Sequence, residues 1–81
     1  MKGYQGHRSY NAWNISLWIS NDEPLYRFAI ECLTRPTSKG NKPTLSQATR
    51  RFMNVFGNDK TPDGVPYTVT NVRLALTGLL D

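Results

Sequence analysis

The chain has one cysteine and one histidine in 81 residues, and both scarcities narrow its chemistry. Cys32 has no partner for an internal disulfide, which fits a reducing, cytoplasmic setting. It stands in the apolar run FAIECL, where a thiol packs as a small hydrophobe. His7 is flanked by glycine, and as a general base it would need the N-terminal stretch to fold back over a carboxylate or a serine, which no motif demands. With no carboxylates paired at ligand spacing, no zinc or calcium set forms and no cofactor is expected. Neither GxGxxG nor GxxxxGK[ST] occurs, and Ser38-Lys39-Gly40 is too short for a phosphate loop. No apolar run reaches the roughly 18 residues of a membrane span, and MKGYQGHRSY carries no apolar stretch of the secretory kind. The expectation is a cytoplasmic protein that binds and does not catalyse.

Acidic residues are missing where they would matter most. Between Glu31 and Asp59 there is none, while Arg35, Lys39, Lys42, Arg50 and Arg51 all fall in that interval, within a chain of net charge +4. Such a region concentrates anionic partners: nucleic acid, a ribonucleoprotein or an acidic protein surface. The plain alternative is a solvated basic face.

What the sequence does have is enough for one core. A chain of this size buries only about 60% of its unfolded surface, so each aromatic counts. Residues 1–8 read as a flexible arm and 9–81 as a single domain. The segment 9–20, SYNAWNISLWIS, admits two readings. Trp13, Ile15, Leu17 and Ile19 alternate like a strand; on a helix Tyr10, Trp13 and Leu17 share a stripe beside Ile15, Trp18 and Ile19, with Ser9 as N-cap. Asp22 is placed to cap a second helix with Glu23 and Pro24 in its first turn, and Leu25, Phe28, Ala29 and Cys32 give its apolar face. Glu23, Arg27, Glu31 and Arg35 form a possible solvated ion-pair ladder, and Pro36 stops the helix.

Residues 36–43, PTSKGNKP, read as an exposed loop ending in the capping box Thr44-Leu45-Ser46-Gln47. A third helix follows on Leu45, Ala48, Phe52 and Val55 or Phe56, closed by Gly57. Pro62-Asp63-Gly64 is turn chemistry, and Thr68 or Thr70 caps a last helix facing inward through Val72, Ala75, Leu76 and Leu79. The fold class is all-α: a compact bundle of about four short helices, with a strand as the alternative for the first element.

The candidate partner-binding residues are Arg35, Lys39, Asn41, Lys42, Arg50 and Arg51. Thr37, Ser38 and Asn41 add donors that phosphates accept from. Against a helix-turn-helix stands the connection at 36–43, about twice the length of that motif's three- or four-residue turn. Trp, Tyr and Arg dominate interface hot spots, but the aromatics at Tyr4, Tyr10, Trp13, Trp18 and Tyr26 read mostly as core. Trp13 and Trp18 lie about 140° apart on a helix, so one of the two is expected to be partly exposed.

The stretch NAWNISLWISNDEPLYR is similar to a motif, roughly W-N-x-x-L-W-x-x-N-D-E-x-L-Y, of small proteins of tailed bacteriophages and bacterial mobile elements. Trp13, Asn14, Leu17, Trp18, Asn21, Asp22, Glu23, Leu25 and Tyr26 match it, and TPDGVPYTVTNVRLAL resembles the ending of some members. Pro24 stands where a small residue is usual. The resemblance implies an accessory protein in a host bacterial cell. In that setting a non-enzymatic domain often occupies a host machine, as anti-CRISPR and anti-restriction inhibitors do. The expected partner is then a host protein or ribonucleoprotein complex, with DNA or RNA as the alternative and the oligomeric state open.

Overall fold

The computed structural model describes residues 9–80. The arm expected at 1–8, with Tyr4 and His7, lies outside the described residues. Helix α1 spans Tyr10–Asn21, and its N-cap is Ser9, whose hydroxyl accepts from the Ala12 N–H at 3.1 Å. Of the two readings of this segment, the helical one holds. Ala12, Ile15 and Ile19 are buried at i, i+3 and i+7, whereas the alternating Trp13 and Leu17 are only half-buried. Trp18 is half-buried too, so both tryptophans keep some exposure.

Asp22 alone forms the corner to α2, Glu23–Thr34. Its N–H donates to the Trp18 carbonyl at 3.0 Å, closing α1, while its carboxylate accepts from the Leu25 N–H at 3.1 Å, opening α2. Pro24 sits in the first turn, where a missing N–H leaves no bond unmade. Arg35 leaves the helix in extended backbone ahead of Pro36, as the proline requires. Of the expected charge ladder two rungs form, Arg27–Glu23 at 2.6 Å and Arg35–Glu31 at 3.9 Å, both well exposed and worth little.

Helix α3, Leu45–Phe56, begins at the expected capping box: the Gln47 N–H donates to Thr44 Oγ1 at 3.1 Å and the Thr44 N–H to Gln47 Oε1 at 2.8 Å. Gly57 ends it with φ −62°, so the left-handed cap that a glycine suggests is not what it supplies. A Cβ there would meet the Met53 carbonyl oxygen at 2.5 Å, and closeness of approach is what calls for glycine. Helix α4 is Val69–Leu80, and of its two candidate caps Thr68 serves, its hydroxyl accepting from the Asn71 N–H at 3.3 Å.

α4 lies between α1 and α3, while α2 closes the bundle against both of them. Ile15, Ile19, Ala29, Ala48, Phe52, Val72 and Leu76 are fully sealed from solvent, which for each large side chain is worth about 1.5–3 kcal/mol. Phe52 is the hub of an aromatic cluster, with Phe28, Phe56 and Tyr67 at ring-centroid distances of 5.6, 5.0 and 5.6 Å. Tyr67 comes from the α3–α4 connection, which dips into the core as a short two-sided ribbon bridging Lys60 and Pro66. Among the described residues, no helix is long and apolar enough to cross a membrane.

Candidate functional site

The acid-free interval folds into one edge of the bundle, made of the end of α2, the connection at 35–44 and the outer face of α3. The connection is held by its own backbone: Thr37 N–H donates to Asn41 O at 2.7 Å and Gly40 N–H to Thr37 O at 2.8 Å, with Gly40 at φ 81° where a side chain would be strained. Lys39, Asn41 and Lys42 ride exposed on this loop, and Arg50 is exposed one helix away. The side chains of Lys39, Lys42 and Arg50 have no hydrogen bond or ion pair among the described residues, so their charges are free for a partner.

Arg51 is placed differently. Its Nη1 donates to the carbonyls of Arg35 at 2.6 Å and Cys32 at 3.3 Å, and its Nη2 to that of Pro36 at 3.3 Å. The guanidinium thus caps the carbonyl end of α2, placing positive charge at the negative end of that helix. It is half-buried and already employed. Arg35 and Arg51 both line a groove of about 480 Å³ between α2 and α3, together with Phe28, Thr37, Asn54 and Val55. Cys32 borders the same groove from below; burial pushes its thiol up, and the Arg51 charge offsets part of that shift. A thiol so placed is a poor nucleophile. A smaller hollow beside this groove adds Gln47 and Arg50 to Thr37, Ser38, Arg51 and Asn54, which the two share. Lys39, Asn41 and Lys42 border neither of the two and project from the loop above them.

Sequence reasoning passes over a second groove, on the other side of α3. Met53, Thr49 and Val69 make its floor, with Arg50 on one rim and Arg73 of α4 on the other. Arg73 is remote from Arg50 along the chain, and only the α3–α4 pairing brings it there. Across the molecule, α1 meets the α3–α4 connection. Asn14, 1% exposed, donates through Nδ2 to Asp63 Oδ2 at 2.7 Å and accepts through Oδ1 from the Thr61 hydroxyl at 2.8 Å. Trp18 Nε1 donates to the same Asp63 oxygen at 3.0 Å. These two donors hold the Asp63 carboxyl below the usual aspartate range. The Gly64 N–H closes the turn on Thr61 O at 2.8 Å, with Gly64 at φ 87°. Asn14 and Trp18 therefore fasten the α3–α4 connection onto α1, and their polar groups are spent on holding the fold.

A model of a family of unknown function, DUF7249, matches residues 1–78. The chain belongs to that family. No curated protein and no solved structure matches it. The matched stretch takes in both grooves and the Asn14 network, so all of these features lie within the family's span. Among the described residues no three His, Cys, Asp or Glu side chains gather as a metal site.

Proposed function

We propose that this protein acts by stoichiometric binding, docking the basic edge formed by the 35–44 connection and α3 onto an acidic surface of a host protein or ribonucleoprotein complex. The observation that carries this reading is the set of free cations, Lys39, Lys42 and Arg50, in a stretch without a single carboxylate between Glu31 and Asp59. The phage-type resemblance supplies the setting, in which the occupied complex is a host defence machine and the outcome is its inhibition. Arg35 flanks the contact and Asn41 shapes the loop, while Arg51 contributes through the position of the loop it ties down.

The test is charge reversal. Lys39→Glu, Lys42→Glu and Arg50→Glu together change only exposed side chains, so circular dichroism should report an unchanged helical fold. Tagged wild-type protein should capture a defined complex from host lysate with and without nuclease, and the triple variant should lose it. A folded triple variant that still captures the same complex removes the surface from consideration.

Nucleic acid is the second reading, favoured by Thr37, Ser38 and Asn41 standing beside the free lysines. The number of free cations on the described edge weighs against it. Three phosphate contacts give a salt slope near −2.7, a loss of roughly 40-fold between 50 and 200 mM salt, against about 10³–10⁵-fold for a protein that makes 6–10 such contacts. A gel shift at low salt that decays with this slope supports the nucleic-acid reading; no shift at low salt eliminates it.

A further inference from the structure

The groove between α3 and α4 has the composition of a peptide site. Met53 is half-buried with its side chain packed on the core, and Val69, the first residue of α4, is 59% exposed. Around this apolar floor stand two cations, Arg50 and Arg73, and no carboxylate. Arg73 is fixed in place by its Nη1 donating to Ser46 Oγ at 2.9 Å, which leaves its other guanidinium donors directed elsewhere. At about 320 Å³ the groove falls within the range of ligand-sized clefts, which starts near 300 Å³.

We infer that the α3–α4 groove seats an acidic, amphipathic peptide segment of the partner, an aliphatic side chain resting on Met53 and Val69 while flanking carboxylates meet Arg50 and Arg73. This rests on the reading of the protein as a binder of acidic partners, and it adds what the free loop lysines do not: an apolar anchor and therefore a preference among acidic surfaces. Charge complementarity selects the occupant. Phosphate backbone offers nothing to an apolar floor. A second copy of this chain would have to present an acidic segment, yet Asp22 caps α2, Asp63 is held by Asn14 and Trp18, and Glu23 and Glu31 stand beside Arg27 and Arg35, so that the α2 face is charge-balanced. Asp59 alone among the described carboxylates has no hydrogen-bond or ion-pair partner for its side chain, and one carboxylate does not make an acidic segment.

The probe is a synthetic helical peptide of Glu, Asp and Leu with leucines at i, i+3 and i+4, titrated into the full chain under NMR observation of the Met53 methyl and the backbone amides. Two control peptides replace the leucines by serine or the acids by lysine. Saturable shifts at Met53, Val69, Arg50 and Arg73 are expected with the Glu/Asp/Leu peptide, and at least about tenfold weaker binding with either control. Arg73→Glu should weaken binding about tenfold or more. Arg73→Gln, which keeps a donor for Ser46, should weaken it less, and thermal melts of both variants establish that the fold is kept. No saturable shift, or equal binding of the serine peptide, overturns the inference. Binding that survives Arg73→Glu but is lost in Lys39→Glu/Lys42→Glu also overturns it while leaving the broader reading intact, because those lysines stand on the loop and not on this groove.

Discussion

Asn14→Ala is the substitution from which the structure demands most. The side chain is sealed from solvent in the middle of α1, and its carbonyl is the acceptor for the Thr61 hydroxyl, itself only 4% exposed. Without it the Thr61 hydroxyl loses its acceptor in a buried site, a penalty of about 1–3 kcal/mol. The space vacated by the amide adds about 1 kcal/mol for a methyl-sized void. The sum, about 2–4 kcal/mol, is a large part of the 5–15 kcal/mol that holds ordinary domains together. At about 4–8 °C per kcal/mol for a domain of this size, thermal unfolding followed by circular dichroism should move down by at least about 8 °C. Thr61→Ala should fall in the same direction, and the double variant should be less damaged than the two losses added, with a coupling of about 0.5–3 kcal/mol. A drop of less than about 4 °C for Asn14→Ala, or strict additivity with Thr61→Ala, refutes the claim that this pair fastens the connection to the helix.

Other consequences can be measured on the same preparation. Phe52→Ala empties the hub of the aromatic cluster and should lower stability by about 3–5 kcal/mol in urea titration; a loss under about 1 kcal/mol contradicts its central place. Arg51→Lys keeps the charge but loses the fork that reaches three carbonyls, so stability should fall by about 1–2 kcal/mol, whereas an unchanged melt would return Arg51 to the pool of free cations. Because the Asp63 carboxyl is held below its ordinary range, its contribution is present above the unfolded value of about 3.9 and lost as pH falls through the folded value. Asp63→Asn should therefore flatten the acid side of a melting-temperature profile, and a profile superimposable on wild type in acid speaks against the carboxylate's role. Cys32, buried and shifted upward, should resist an aromatic disulfide reagent at neutral pH until denaturant is added; rapid reaction of the native protein contradicts its placement.

The parts of this fold that can be read along the chain are those settled by neighbours in sequence. Asp22 before Glu-Pro, the Thr44–Gln47 box and the i, i+3, i+4 spacing of Leu25, Phe28 and Ala29 each concern one helix turn, and each stands where expected. Asn14 illustrates the opposite case. In an aromatic-rich segment an asparagine reads as an interruption or an outward residue, because the groups that satisfy it, Thr61 and Asp63, are 47 and 49 residues away. Arg51 is similar: a cation in an acid-free stretch looks available until the end of α2 is folded against it. Tyr67 lies in a stretch that reads as turn and helix start, and only the tight turn at Gly64 carries it back into the core. The Met53–Val69 groove has no linear signature, since its two rims come from different helices.

The order of the helices along the chain has a kinetic consequence. Among the described helices α1 precedes the other three along the chain and packs chiefly on α4, which follows them, while Asn14 and Trp18 wait for Asp63. Until those later residues leave the ribosome, Ile15 and Ile19 have only α2 to cover them. Helices α1, α2 and α3 can associate earlier, so synthesis should pass through a nascent form in which α1 is covered on its α2 side alone and its α4 side is open to chaperones or proteases. The closing of the ring by α4 is then the step that commits the molecule to its native state.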